Sequence, residues 1–168
     1  MDLYVAINGG LIGSVYEECV TSALDLDPDG TAAAPTDFSS LAVNGEAGIC
    51  YMLAAEQGNA DIWRSEDGGT TFLRSKKDPS GGAGATAKDV AMADDYYDTG
   101  KAWVAVAGAS AGDLSALSMT DDFGVSWTQI SLIDTTITTI NYLDFSPDFA
   151  TDSTFFMVTC NTSAANSV

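Results

Sequence analysis

Ser65-Glu66-Asp67-Gly68-Gly69-Thr70-Thr71-Phe72 and Thr120-Asp121-Asp122-Phe123-Gly124-Val125-Ser126-Trp127 are one eight-residue phrase written twice, 55 residues apart. Both read hydroxyl-x-Asp-x-Gly-x-hydroxyl-aromatic. A second pair keeps nearly the same beat. Val90-Ala91-Met92-Ala93-Asp94-Asp95-Tyr96 runs on to Ala102-Trp103-Val104, and Leu143-Asp144-Phe145-Ser146-Pro147-Asp148-Phe149 runs on to Phe155-Phe156-Met157, offset by 53. An aromatic also recurs at Tyr51, Trp103 and Phe156, on what reads as the same strand of successive repeats. Periods of about 40–50 residues with several short strands in each are the mark of propeller blades.

Strand signals fill the space around these phrases. Leu3–Ile7 and Leu11–Tyr16 flank Asn8-Gly9-Gly10 and read as a hairpin, because Asn-Gly supplies the positive φ values of a tight turn. Further apolar runs fall at 41–44, 48–54, 60–64, 70–74, 88–92, 102–107, 113–119, 125–132, 137–145 and 154–160, most of them bounded by Gly, Asp, Asn or Pro. Residues 14–24 also suit a short helix, and periodicity leaves the two readings open. The stretch from Asp78 to Thr86, with Pro79-Ser80-Gly81-Gly82-Ala83-Gly84, is a loop.

The two phrases resemble the Asp-box motif, or BNR repeat, of sialidase-like and bacterial surface β-propellers, and the resemblance extends over roughly residues 41–160. It implies an all-β fold of propeller-like antiparallel blades, about three repeats of ~53 residues, two of them with Asp-box turns. In that family the box is the hairpin turn joining the third and fourth strands of a blade. Carried over, Asp67 and Asp122 accept hydrogen bonds from their own turn, Gly69 and Gly124 take left-handed positions, and the hydroxyls of Ser65 and Thr120 close the loop. Thr71 and Ser126 are the second hydroxyl positions, and Phe72 and Trp127 tuck a ring beneath the turn. The chain departs from the motif at Phe72, where Trp is usual, and at Thr120 and Phe123. The resemblance divides the chain into an N-terminal hairpin and acidic loop segment, 1–40, and a blade unit, 41–168. Three repeats are fewer than the four to eight blades of a closed propeller. The expectation is therefore a part of a larger polypeptide, or a ring completed by self-association.

Composition narrows the function. The 168 residues are 46% hydrophobic and 18% charged, a globular balance, yet 24 acids face six bases for a net charge of −18, without histidine. Such a surface repels phosphate backbones and anionic lipid, which argues against nucleic acid and inner-leaflet membrane partners. The lack of histidine removes imidazole acid–base chemistry, Ser-His-Asp triads and His-ligated zinc or haem. Of the acids 19 are Asp and five are Glu, a bias toward turns, caps and calcium ligands and away from helix. No apolar run approaches the ~18 residues of a membrane helix, and the first twenty residues have no basic leader, so a secreted origin would need a signal removed upstream or a larger product.

Site candidates divide the same way. Sialidases grip a substrate carboxylate with three arginines; this chain has two, Arg64 and Arg74, at opposite ends of one hairpin. Asp94-Asp95 and Asp121-Asp122 are the carboxylate pairs to inspect for glycoside hydrolysis, against a reading as solvated turn acids. Asp25-Leu26-Asp27-Pro28-Asp29-Gly30-Thr31 matches the start of a calcium loop, with Asp25, Asp27, Asp29 and Thr31 as ligands, although Ala33 and Thr36 stand where its later ligands belong. The alternative is an acidic turn. Asn161-Thr162-Ser163 is a glycosylation sequon at Asn161. Trp63, whose counterpart in the second repeat is Ser118, is the tryptophan expected at the surface for sugar stacking. Cys19, Cys50 and Cys160 form no metal motif; a Cys19–Cys50 disulfide is open, and Cys50 otherwise reads as a core residue.

These readings favour a non-catalytic extracellular or cell-surface module that associates with itself or with further blades. The alternatives are a fragment of a carbohydrate-active enzyme, sialidase- or glucanase-like, and a sugar-binding propeller.

Overall fold

The computed structural model describes residues 4–7, 14–17, 25–26, 37–46, 49–81, 84–109, 114–133, 137–146 and 148–161. They form an all-β structure of antiparallel sheets. The first main sheet runs β4 (Phe38–Glu46), β5 (Ile49–Glu56), β6 (Ile62–Ser65) and β7 (Thr71–Arg74), each strand pairing with the next. The second repeats that order with β8 (Thr86–Met92), β9 (Ala102–Ala107), β10 (Ser115–Thr120) and β11 (Thr128–Ile133). A third sheet has β12 (Ile137–Phe145) and β13 (Phe155–Asn161). Ahead of them come β1 (Tyr4–Ile7) and β2 (Ser14–Glu17), paired to each other, and β3 (Asp25–Leu26). Of the expected hairpin, Tyr4–Ile7 pairs with Ser14–Glu17, and Ser14–Glu17 is strand and not the start of a helix; Leu3 and Leu11–Gly13 lie outside the described residues.

Successive sheets stack face to face, which explains why β5 and β9 read as unbroken apolar runs. Side chains alternate across a strand, so both faces of a strand inside a stack must be apolar. Ala102, Val104 and Val106 of β9 join Leu53, Ala55 and Ile62 in a core between the first and second sheets. Trp103, Ala105 and Ala107 point the other way, into a core shared with Ile140 and Leu143 of the third sheet. Phe38, Met52, Ala54, Trp63 and Phe72 make a further core on the opposite face of the first sheet. Cys50 packs at its margin, and Cys19 lies outside the described residues.

The repeats are marked by a shared irregularity. The first strand of each of the three main sheets carries a register slip, between Phe38 and Ser40, between Ala87 and Asp89, and between Ile140 and Tyr142, with a further slip in β12 between Ile137 and Thr139. Each extra residue bends the strand and sharpens its twist. Ser40, Asp89 and Tyr142 are thereby equivalent positions of three successive sheets. The helical turns α1 (Tyr96–Thr99) and α2 (Phe149–Asp152) match as closely. Ala93 N–H bonds Lys101 O as Ser146 N–H bonds Thr154 O, and Gly100 and Ser153 end the turns in the left-handed region.

Trp63 is a correction. It is fully buried, with its indole N–H donating to Glu56 Oε2 at 2.9 Å. Its counterpart Ser118 is buried too, so the position is interior in both sheets. The space between Phe38 and Phe72 demands a large side chain in the first sheet.

Candidate functional site

Two hairpin turns and one seam between sheets carry dense sets of side-chain hydrogen bonds. In the turn at 65–72, Asp67 Oδ1 accepts from Thr71 N–H at 2.9 Å and from the Ser65 hydroxyl at 2.8 Å. Its Oδ2 accepts from the Thr71 hydroxyl at 2.7 Å, and Ser65 Oγ in turn accepts from Gly69 N–H at 2.9 Å. The turn at 120–127 reproduces this bond for bond. Asp122 Oδ1 accepts from Ser126 N–H at 2.9 Å and from the Thr120 hydroxyl at 2.7 Å, Oδ2 accepts from the Ser126 hydroxyl, and Thr120 Oγ1 accepts from Gly124 N–H at 3.1 Å. Gly69 and Gly124 have φ of 85° and 78°. At Gly124 a Cβ would also stand 2.7 Å from Leu53 Cδ2, so the glycine lets the turn close on the neighbouring sheet. Phe72 and Trp127 are fully buried.

Burial works to raise both aspartate pKa values, but the bonds each carboxylate accepts outweigh it and hold Asp67 and Asp122 below the usual range. These acids stay ionised and saturated with donors. Their chemistry is structural.

Each turn is flanked by chain from earlier in the sequence. Asp25 and Leu26 pair in parallel with Thr71 and Phe72, and Lys77 makes the corresponding parallel bridge to Ser126. Ser75 completes the second clasp: its hydroxyl donates to Gly124 O at 2.6 Å and accepts from the Trp127 indole N–H at 3.1 Å. Among the expected calcium ligands, Asp25 therefore has its backbone on the edge of β7. Asp27, Asp29 and Thr31 lie outside the described residues. Asn161 ends β13, with its backbone opposite Ile137.

The seam joins β4, β8 and β12, which lie side by side. Asp89 sits at its centre, 8% exposed. Its carboxylate accepts from the Ser40 hydroxyl on β4, from Val90 N–H, and from Leu143 N–H on β12. Burial raises the Asp89 pKa; the three bonds pull it down but do not cancel that rise, and Asp144 adds to it. Sequence reading passed over Asp89, one acid among 24. The signal available was an Asp inside an apolar strand run, where no turn calls for one.

Asp94 and Asp95 are exposed, with Asp95 preceding α1, and Asp121 is exposed beside the engaged Asp122. Arg64 and Arg74 are not at opposite ends of their hairpin. Arg64 faces Leu73 and Arg74 faces Trp63, so the two are one register step apart on opposite faces of the sheet. Each is held by acids: Arg64 by Glu66, and Arg74 by Asp61 at 2.9 Å and Asp78 at 2.6 Å. Among the described residues no three His, Cys, Asp or Glu cluster as a metal site, and no helix is long and apolar enough to cross a membrane. No protein-family model matches the chain, and no curated protein matches it.

Proposed function

We propose that the chain is a set of Asp-box propeller blades serving as a non-catalytic structural or interaction module at the cell surface or outside the cell. The observation that carries this is the duplicated turn. Every carboxylate oxygen and hydroxyl of the motif positions is engaged within its own turn, and an aromatic ring beneath each turn is fully buried. Such groups lock hairpins and do not present chemistry to a substrate. The two arginines of the chain, one fewer than a sialidase-type carboxylate site uses, are each paired with acids on opposite faces of one sheet. The acidic surface suits an extracellular protein that stays soluble while its apolar faces associate.

The test is a screen of the purified chain on fluorogenic sialosides and β-glucosides. No turnover above background is expected. Turnover that disappears in Asp89→Asn would replace this reading with that of a carbohydrate-active enzyme. Calcium at Asp25, Asp27, Asp29 and Thr31 belongs to the same proposal: calcium should raise the melting temperature, and equal melting in calcium and in chelator refutes it.

A further inference from the structure

Asn44 closes the junction between the first two sheets with its carboxamide. Its Nδ2 donates to Ala93 O and to Asp94 O, each at 3.2 Å, and its Oδ1 accepts from Tyr97 N–H at 3.3 Å. Both ends of the amide thus hold the chain that enters α1. Four residues after Asp89 the equivalent position is Ala93 itself, which has no such group. The residue after Asn44 is fixed by the fold as well. A Cβ on Gly45 would run into Ile49 O, so the ladder of β4 and β5 admits only glycine there. The nitrogen of Gly45 faces away from β5. Its ladder partner, Cys50, turns its carbonyl to the other side, where it accepts from Gly68 N–H at 3.0 Å. The N–H and C=O of one strand residue point the same way, so Gly45 and Cys50 exchange no ladder bonds. An asparagine carboxamide therefore adjoins a backbone nitrogen with neither a side chain to shield it nor a bond to β5.

We propose that Asn44 is a site of spontaneous deamidation, guarded by the junction it closes and fatal to that junction once it reacts. The Gly45 nitrogen gives its proton to water and attacks Asn44 Cγ; the C–N bond of the carboxamide breaks and ammonia leaves. Water then opens the five-membered imide at either carbonyl, leaving aspartate or isoaspartate at position 44. The net exchange is water in and ammonia out, with no change of oxidation state. The three hydrogen bonds oppose the first step, because they pin to α1 a carboxamide that must turn back toward its own backbone. The reaction therefore proceeds through local opening of the junction. Its product cannot restore the clasp. A carboxylate has no hydrogen to donate to Ala93 O or Asp94 O, and it adds charge beside the exposed Asp94 and Asp95 in a chain already at −18.

The experiment follows Asn44 in the full chain by peptide mass mapping during incubation in mildly alkaline buffer, with and without urea. Asn8-Gly9, the other Asn-Gly of the sequence, is the reference. In urea the two sites should convert at similar rates. In buffer Asn44 should convert more slowly than in urea by roughly tenfold or more, because three hydrogen bonds must break first. Tyr96→Leu removes a ring of α1 that packs on Tyr51, and should speed conversion of Asn44 in buffer without changing its rate in urea. Converted chains should melt lower than unconverted ones, with faster hydrogen exchange at the Tyr97 amide, and Asn44→Asp should reproduce both changes. Should Asn44→Asp fail to fold, the converted wild-type chain still supplies that comparison. The proposal falls if Asn44 stays wholly intact in buffer while it converts in urea, or if it converts at the same rate in both. It falls equally if Tyr96→Leu leaves the rate in buffer unchanged, or if converted chains match unconverted ones in melting and exchange.

Discussion

Asp89 Oδ2 accepts a 2.6 Å hydrogen bond from the backbone N–H of Leu143, 54 residues away and one sheet further along the stack. Through Ser40 the same carboxylate reaches back to the sheet before. One buried side chain thus ties three sheets at their inner edges.

Asp89→Ala leaves the buried N–H of Leu143 without an acceptor, and should cost about 1–3 kcal/mol in denaturant unfolding. The pH dependence has a definite sign. Burial sets the folded pKa of Asp89 above its unfolded value of about 3.9. Its contribution is therefore fully present below that value and falls as pH rises through the folded pKa. The stability of wild type relative to Asp89→Asn should be greatest near pH 3.5 and decline above it. A difference that stays constant or grows with pH contradicts this.

Asp67 and Asp122 titrate with the opposite sign. Their folded pKa values lie below the unfolded one, so their stabilisation is present above about pH 3.9 and is lost as pH falls through the folded values. Asp67→Asn and Asp122→Asn should melt lower than wild type at pH 7 and approach it in acid. At neutral pH, Asp67→Ala should cost roughly 1–2 kcal/mol from the lost turn bonds. Melting curves across pH check both statements.

Phe123 holds φ at 59°, where the first turn has Gly68 at 74°. Its ring lies against Tyr51 at 5.2 Å and Tyr96 at 5.6 Å, and those contacts retain a backbone that an L-residue disfavours. Both Phe123→Ala and Phe123→Gly should be less stable than wild type. The glycine variant should be the more stable of the two by about 1 kcal/mol, reversing the usual Ala-over-Gly order. Denaturant unfolding that ranks alanine above glycine refutes the strain argument.

The rings beneath the turns set the largest expected losses. Phe72→Ala and Trp127→Ala should each cost about 3–5 kcal/mol as core truncations. Trp127→Phe should cost about 1 kcal/mol, since it keeps most of the ring and loses the bond to Ser75. Similar melting for all three would mean that the rings do not carry the hairpins.

Much of the fold was written locally. The strands at 102–107 and 137–145 appear with the bounds their apolar runs predict, and the phrases at 65–72 and 120–127 fold into matching turns. A hairpin turn is made by neighbours in sequence: hydroxyl, aspartate and glycine satisfy one another within eight residues, so their spacing suffices to specify them. The repeat offset likewise placed Tyr51, Trp103 and Phe156 on one strand of successive sheets. Stacking decided the rest. Whether Trp63 faced solvent depended on Phe38 and Phe72, which no local pattern links to it. Whether Arg64 and Arg74 met depended on register, and a single step sent them to opposite faces. Asp89 became the tie between sheets only because bulges in β4, β8 and β12 bring Ser40 and Leu143 to its carboxylate. Hydrogen bonds inside a turn are fixed by covalent spacing, whereas contacts between sheets about 50 residues apart exist only once the chain has stacked.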